Sequence, residues 1–242
     1  IPLNKILKLE VILRAALGSA LELERVIIST SGLQKLTRQD IDKAAPVLAA
    51  GFEDDPFFSY LLPDKTSRLE ALTLLLKNYV DMLYDYGSLF ASSKRMEALA
   101  FVYRPHQIKE PATFPEQLKY QLQVWLAIAK STPLCRQIGV KQFVRLFQTS
   151  QTMNSEWVQH FVHDDCAHLE FLVVQEQYRG HGLARKLLGR ILSSCRSKSL
   201  TCSLETHNPR NIGMYEHFDF ELVERIRMPD SDLVQYCMLY NP

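Results

Sequence analysis

Hydrophobic and polar positions follow two patterns along this chain, and the patterns predict strands and helices in turn. An apolar run from Leu169 to Val174 is typical of a buried strand, here His168 to Gln175. After a turn with two glycines, apolar residues recur at spacings of three and four, which predicts an amphipathic helix from Gly180 to Cys195. The apolar residues of this helix are Leu183, Leu187, Leu188, Ile191 and Leu192. The elements predicted after it are a strand (Leu200 to Thr206), a helix (Pro209 to His217) and two strands (Phe220 to Ile226 and Val234 to Leu239).

The N-terminal half shows the same patterns. Thr37 and Asp40 form a capping-box pair, which predicts a helix from there to about Ala50. Residues 54–58 and 62–64 are rich in Asp and Pro, which predicts loops or turns. The other predicted elements are a short strand (Leu33 to Leu36), a long helix with its stripe at Leu69, Leu72, Leu76, Val80 and Leu83, and a hairpin of Ser88 to Ala91 with Ala98 to Tyr103.

Strands and helices that interleave in this way predict an α/β fold with a mixed sheet. We expect residues 31–242 to form one domain, with a helical insertion at about residues 105–165. Residues 1–30 are predicted to be an N-terminal helical extension that packs on the domain or on a second subunit, which allows for a homodimer. The helices expected in the insertion are Pro115 to Lys130, Gln137 to Ser150 and a short one near Ser155 to Phe161.

Composition and charge narrow the classes of function. The chain has 242 residues, of which 47% are hydrophobic and 23% charged, so it can bury a substantial core. A net charge of +1 gives no general attraction to nucleic acid or to an anionic membrane, and no run approaches the roughly 18 apolar residues of a membrane span. The chain has five cysteines, Cys135, Cys166, Cys195, Cys202 and Cys237. Their spacing is not that of metal ligands, which predicts reduced thiols in a cytoplasmic protein and no metal site.

The turn between strand and helix, Gln177 to Gly182, has the features of an anion site. Backbone N–H groups point outward at a helix N-terminus, the helix dipole favours negative charge, and glycine lets a phosphate approach the backbone. The third small residue of a dinucleotide fingerprint is missing because Arg185 stands there, and no Gly-Lys-Ser/Thr of a P-loop follows. The turn therefore predicts a phosphorylated ligand; the alternative is a tight connection without one.

Two motifs share this region. The first, Gln177-Tyr178-Arg179-Gly180-His181-Gly182, has the form Gln/Arg-x-x-Gly-x-Gly/Ala, and the second runs from Leu204-Glu205-Thr206 through Asn208-Pro209-Arg210-Asn211 to Tyr215-Glu216-His217-Phe218-Asp219-Phe220. Together they resemble the two hallmarks of the GNAT superfamily of N-acetyltransferases, specifically over Leu169 to Phe220. Asp219 stands where the family usually has glycine, but Asp tolerates positive φ, so we still expect the helix to end there.

The resemblance implies a mixed, mostly antiparallel sheet flanked by helices, with splayed central strands and acetyl-coenzyme A between them. A backbone N–H near Val173 or Val174 is expected to meet the oxyanion, and Tyr215 to donate a proton or a hydrogen bond to the leaving thiolate. Asn208 is expected to reach the cofactor, to cap its own helix, or both. The implied cofactor-binding residues are Leu172, Val173, Val174, Gln177, Arg179, Gly180, His181, Gly182, Leu183, Ala184, Asn208, Asn211 and Tyr215.

An amine with a pKa of about 10.4 needs a general base, or a water chain to one, before it can attack a thioester. Glu170 is the first candidate for the base and Glu205 the second; the alternative for each is a carboxylate that holds a backbone or side-chain donor. His168 is either a proton relay or a buried structural histidine. By the period of two, one face of the strand is expected to carry Cys166, His168, Glu170 and Leu172.

We therefore predict an N-acetyltransferase that moves an acetyl group from acetyl-coenzyme A to a primary amine of an unidentified small molecule or peptide by direct transfer. One alternative is an acyl-coenzyme A-binding sensor or interaction module without turnover. Another is an enzyme that uses the same phosphate-binding turn, Gln177 to Gly182, for a cofactor with a longer acyl chain. The helical tract at residues 105–165 is expected to cover or shape the acceptor pocket.

Overall fold

A computed structural model of the chain describes residues 32–105, 114–152, 155–163, 165–228 and 231–242. Its strands are β1 (Gln34–Lys35), β2 (Gly87–Ala91), β3 (Ala98–Tyr103), β4 (Cys166–Val174), β5 (Thr201–Thr206), β6 (Glu221–Arg227) and β7 (Val234–Tyr240). They form one sheet in the order β1-β2-β3-β4-β5-β7-β6. Among the strands of the described residues, only β4 and β5 pair in parallel. The predicted mixed, mostly antiparallel sheet is confirmed.

Helices lie on both faces of the sheet. The described residues contain α1 (Ile41–Phe52), α2 (Pro56–Leu61), α3 (Lys65–Leu83), α4 (Phe114–Ser131), α5 (Leu134–Ile138), α6 (Val140–Thr152), α7 (Val158–Phe161), α8 (Leu183–Ser197) and α9 (Ile212–Glu216). None of them is both long enough and apolar enough to cross a membrane. The predicted N-terminal extension, residues 1–30, lies outside the described residues.

Two hydrophobic cores sit on the two faces. On one face, α1 and α3 pack their apolar stripes against alternate residues of the central strands, including Phe101 and Phe171. On the other face, Leu187, Leu188 and Ile191 of α8 are fully buried against β3, β4 and β5. The apolar spacings that predicted α3 and α8 are therefore the spacings that bury one face of each helix.

A β-bulge interrupts the pairing of β3 with β4. Phe101 pairs with Phe171, but the next residue of β3, Val102, pairs with Leu169, so Glu170 is an extra residue on β4. The bulge shifts the alternation by one residue, which places Leu172 on the α8 face with the second core. The prediction that Leu172 shares the face of His168 and Glu170 is therefore wrong, because strict alternation fails at the bulge.

A second correction concerns residues 54–58, which were predicted to be a loop. Pro56 begins the short helix α2, and the Asp55 carboxylate caps it by accepting a hydrogen bond from the Phe57 N–H at 2.9 Å. An Asp followed by a Pro at the first helical position is a normal helix start. The loop prediction weighed Asp and Pro only as turn residues.

The helical tract, residues 105–165, leaves the sheet after β3 and returns to it at β4. Arg104, which precedes the tract, and Asp165, its last residue, form a salt bridge, so the two ends of the tract lie side by side. Its helix α4 packs against α3, and α5 buries Leu134 in the core of that face. The sequence patterns predicted three helices in the tract and missed α5, which is only five residues long.

Candidate active site

Strands β4 and β5 separate part-way along their length. Their parallel pairing runs from Cys166 and Thr201 to Leu169 and Leu204 and ends there, although β4 continues to Val174. Over the same stretch β5 stays paired with β7. The two strands therefore splay, as predicted, and leave a gap that opens beside the last five residues of β4.

Some backbone donors of β4 face this gap. The Gln175 N–H donates to the Glu97 carbonyl oxygen on the β3 side, at 2.9 Å. Because N–H directions alternate along a strand, the Val173 N–H points to the same side, whereas the N–H groups of Leu172 and Val174 point into the gap. Of the two residues predicted to meet an oxyanion, this alternation favours Val174 over Val173.

The turn that follows β4 has the conformation that its glycines allow. Gly180 and Gly182 have φ values of +80° and +74°, which is the left-handed region. Gly182 is the N-cap of α8, and no side chain caps the helix start. The first backbone bond back to this end runs from the Lys186 N–H to the Gly182 carbonyl oxygen at 2.9 Å, so the N–H groups of residues 183–185 lack helical acceptors.

The Asn-Pro segment after β5 folds back on the strand end. Asn208 caps the following turn, because its side chain accepts a hydrogen bond from the Arg210 N–H at 3.1 Å. The hydroxyl of Thr206 accepts from the Asn211 side chain at 3.3 Å and from the Asn208 N–H at 3.2 Å. The predicted cap is confirmed, and these bonds fix the segment at the mouth of the gap.

Tyr215 lies on α9 in the core of the α8 face. Its ring is buried and meets Phe220 edge-to-face, with centroids 5.8 Å apart. Burial raises the pKa of its phenol, and the nearby Asp55 carboxylate raises it further. The helix α9 ends at Glu216, and Asp219 in the turn that follows has φ of +65°, so the residue that replaces the usual glycine adopts the predicted left-handed conformation.

Three side chains that the sequence singled out meet at the start of the gap. His168 is completely buried, and its Nε2 lies 2.8 Å from Glu205 Oε2 and 3.5 Å from Glu170 Oε2. Its Nδ1 lies 2.8 Å from the hydroxyl of Ser203. The histidine therefore links the two candidate bases. Glu170 follows His168 by two residues, so strand alternation places its carboxylate on the His168 face.

The sequence of this region matches a known family. Residues 138–220 match the model of the acetyltransferase (GNAT) family. The segment that holds both motifs is similar to the GNAT acetyltransferases. The resemblance drawn from the two motifs is confirmed, and with it the predictions of an acyltransferase and of acetyl-coenzyme A as the cofactor. No curated protein sequence matches the chain significantly.

Solved structures share the fold. An acetyltransferase from Corynebacterium glutamicum, described as histone acetyltransferase HPA2 and related acetyltransferase, is 17% identical, with a TM-score of 0.58 over 88% of this chain and 97% of that one. Arylalkylamine N-acetyltransferase 2 from Aedes aegypti is 12% identical, with a TM-score of 0.48 over 86% and 97%. At such low identity the first likeness shows the GNAT fold alone.

The residues of the glycine turn fit a GNAT cofactor. A Cβ added at Gly180 or Gly182 would meet no atom within 4 Å, so the space above the turn is open to a diphosphate. No acidic residue lies in the first turn of α8, which leaves the positive end of the helix dipole uncompensated. In the described part of the chain no group of His, Cys, Asp and Glu is arranged to hold a metal ion.

Burial and hydrogen bonds shift the pKa values of the two candidate bases in opposite directions. Burial raises the pKa of Glu170, whose Oε1 accepts a hydrogen bond from the Tyr79 hydroxyl at 2.9 Å. Burial would also raise the pKa of Glu205, but the charge of His168 and hydrogen bonds from His168, Trp157 and Ser155 outweigh it and lower that pKa. Glu170 is thus the stronger proton acceptor, and Glu205 is tied to its donors.

Sequence reasoning missed several residues of this cluster. Tyr79 and Trp157 hold the two carboxylates, yet they come from α3 and from the helical tract, far from either motif. Phe57 stacks on His207, with ring centroids 4.5 Å apart, although the sequence predicts a loop or turn at residues 54–58. Only His207 had a sequence signal, because it directly follows the Leu-Glu-Thr end of β5.

A cavity of about 510 Å³ opens beside the two carboxylates. Glu170, Glu205 and His207 line its sheet side. The helical tract supplies part of its opposite wall, including Tyr120, Val124, Ile128 and Phe143. The cavity is the right size for a small-molecule ligand, for which pockets of roughly 300–1,000 Å³ are usual.

Proposed function

We propose that this GNAT domain acetylates a primary amine by direct transfer from acetyl-coenzyme A. The observation that carries the proposal is the position of Glu170, which lines the acceptor-sized cavity and stands at the point where β4 leaves β5. An amine in the cavity would therefore meet a proton acceptor and the cofactor gap together. A peptide acceptor and a homodimer stay predictions.

Bound acetyl-coenzyme A supplies the acetyl group as an activated thioester. The open N–H groups of residues 183–185 and the glycine turn, with the exposed Arg179, would hold its diphosphate. Asn208 and Asn211 are placed by Thr206 at the edge of the gap where the rest of the cofactor would lie.

The chain's own groups would handle the proton and the charge. The Glu170 carboxylate takes the proton from the amine, and its raised pKa makes it a better acceptor than an ordinary carboxylate. The Leu172 and Val174 N–H groups in the gap are donors for a developing oxyanion. The Tyr215 phenol keeps its proton because burial raises its pKa, so it can donate a hydrogen bond to a leaving thiolate.

Direct transfer is supported by the chemistry of the cavity wall. Among the described residues, neither a cysteine nor a lysine lines the cavity, so the wall offers no thiol or amine for a covalent acyl-enzyme. Among the described residues the five cysteines form no disulfide, and four of them are buried. Reduced thiols are also what we would expect of the cytoplasmic location that we propose.

The test measures thiol release from acetyl-coenzyme A while both substrate concentrations are varied. Direct transfer predicts intersecting double-reciprocal lines and no mass gain on the protein after incubation with acetyl-coenzyme A alone. Parallel lines with an acetylated protein would overturn it. Cofactor binding without thiol release for any amine would instead support the sensor.

A further inference from the structure

The cavity beside Glu170 is polar on one side and apolar on the other. Glu170 of β4, Glu205 of β5 and His207 lie on the sheet side, where β4 separates from β5. The wall opposite is built from α3, α4 and α6 and consists mainly of aliphatic and aromatic side chains: Leu75, Met82, Val124, Ile128, Phe143 and Leu146. A ligand that fills this space must itself have one polar end and one apolar end.

The charges of the wall have one sign. Glu156, Glu170 and Glu205 line the cavity, and among the described residues no lysine or arginine does. A bound ammonium group would gain carboxylate partners. A bound carboxylate would face like charges without a cation to pair with, which is costly in a desolvated site.

His207 adds an acceptor at the polar end. Its Nε2 is buried and has no hydrogen-bond partner among the described residues, and its hydrogen bond with Gln235 therefore engages Nδ1. Burial lowers the pKa of the ring to about 4, so the ring is uncharged near neutral pH, and the tautomer whose Nδ1–H donates to Gln235 leaves Nε2 able to accept an N–H. Phe57 stacks on the ring and fixes its plane.

The apolar end offers little to a second charge. Besides the Tyr120 phenol, its polar side chains are Asn78 and Ser131, which hydrogen-bond to each other at 2.9 Å and are both buried. A second ammonium placed there would lie among hydrocarbon walls with no carboxylate beside it. Polyamines and aminoglycosides, which carry several cations, therefore fit this cavity poorly.

We propose, on the basis of the proposed function, that the acceptor is a monoamine whose amino group is attached to an aromatic or bulky aliphatic body without a carboxylate. The amino end lies between Glu170 and His207, and the body lies against α3, α4 and α6. Amino acids are excluded by the carboxylate that they carry, and small alkylamines bind weakly because they bury too little apolar surface.

The test compares matched amines with the full chain, by calorimetry for binding and by thiol release for turnover. 2-Phenylethylamine should exceed ethylamine, which lacks the ring, by at least about tenfold in kcat/KM. It should exceed L-phenylalanine, which adds only a carboxylate, and spermidine by about 100-fold. Equal or better use of ethylamine, phenylalanine or spermidine overturns the inference and leaves the acetyltransferase proposal standing.

Two alanines of α4 provide a matched pair of variants. Ala127 lines the cavity, whereas Ala129 is exposed on the same helix. Ala127→Phe should fill the apolar end and lower the phenylethylamine-to-ethylamine ratio at least about tenfold, and Ala129→Phe should not change it. An unchanged ratio in Ala127→Phe also overturns the inference.

The two readouts separate the two proposals. Selective binding of phenylethylamine that Ala127→Phe abolishes, without turnover, supports the ligand class and contradicts the proposed function. Absence of both binding and turnover for phenylethylamine overturns the ligand class alone, and absence of thiol release with every amine of the set contradicts the proposed function as well.

Discussion

At the scale of single residues, burial sets which groups of the site carry protons. It raises the pKa values of Glu170, Tyr215 and Asp55, the last to about 6, and it lowers that of His207 to about 4. The cause is the same in each case, because a desolvated charge is unfavourable and the neutral form is preferred. The site thus combines a retained proton on the phenol with an open acceptor on the imidazole.

Tyr215→Phe should lower kcat by about 10- to 100-fold, the effect of one lost hydrogen bond to a developing charge. The dissociation constant of coenzyme A, measured by calorimetry, should change little. Tyr240→Phe is the control, because the Tyr240 hydroxyl is buried in the same core without a partner among the described residues. Unchanged turnover in Tyr215→Phe would remove the assigned role of the phenol.

Glu170 should determine the acidic side of the pH profile. A base must be ionised, so kcat/KM should fall as the pH decreases through the raised pKa of Glu170. Glu170→Gln should lower kcat/KM by about 100-fold and remove this dependence. If Glu205→Gln removes it while Glu170→Gln retains it, Glu205 is the base.

Two aspartates that cap helices should respond oppositely to pH. Burial raises the pKa of Asp55 from 3.8 to about 6, so its contribution to stability is present below pH 4 and is lost as the pH rises through 6. Asp55→Asn keeps a capping side chain without the charge. At pH 8 it should raise the free energy of unfolding by up to roughly 3 kcal/mol, and the gain should vanish near pH 4.

Asp64, the exposed cap of α3, is the matched control for Asp55. Hydrogen bonds from Ser67 and Thr66 lower its pKa, so its contribution is present above pH 4 and is lost as the pH falls. Asp64→Asn should therefore lose stability at pH 8 relative to pH 3. Urea unfolding at each pH measures both, and the same sign for the two variants would contradict the assignment.

At the scale of elements, the turn between β4 and α8 joins two glycines in the left-handed region to an open helix start. Gly182→Val should lower coenzyme A affinity at least about tenfold, because its side chain would enter the space left for the diphosphate. Gly139→Val is the control, since Gly139 has φ of +79° and is equally open but lies between α5 and α6. Both variants should lose stability. If both lose the same affinity for coenzyme A, the glycine turn does not hold the diphosphate.

Two helix glycines should respond oppositely to alanine. A Cβ on Gly51 of α1 would overlap the side chain of Val173, whose own Cβ is 3.0 Å away, whereas one on Gly189 of α8 would meet nothing within 4 Å. Gly51→Ala should cost about 1–3 kcal/mol of unfolding free energy. Gly189→Ala should gain about 0.5–1 kcal/mol. Denaturant unfolding measures both, and a neutral Gly51→Ala would mean that α1 can move away from β4.

Elements with a clear period were predictable, and local exceptions to the period were not. The stripe of α8 and the apolar run of β4 predicted both elements within a few residues of their bounds. The bulge at Glu170 was not predictable, because it depends on how β4 pairs with β3 and not on the residues of β4 alone. The same limit explains why Leu172 was placed on the wrong face.

At the scale of the whole molecule, the cofactor side and the acceptor side differ in how far the sequence could predict them. The glycine turn, Asn208 and Tyr215 lie in contiguous motifs, so local pattern was sufficient to name them. The acceptor side is assembled from distant segments: Tyr79 contacts Glu170 across 91 residues and Trp157 contacts Glu205 across 48. No local pattern records such pairs, because only tertiary packing brings them together.

The salt bridge of Arg104 with Asp165 closes the helical tract at its base. A segment that leaves and re-enters the sheet at one point can be exchanged as a unit while β3 and β4 stay paired, provided that its replacement keeps Leu134 and Trp157, which pack in the cores. Replacing the other side chains of the tract would then change which acceptor the enzyme uses and leave its binding of acetyl-coenzyme A unchanged.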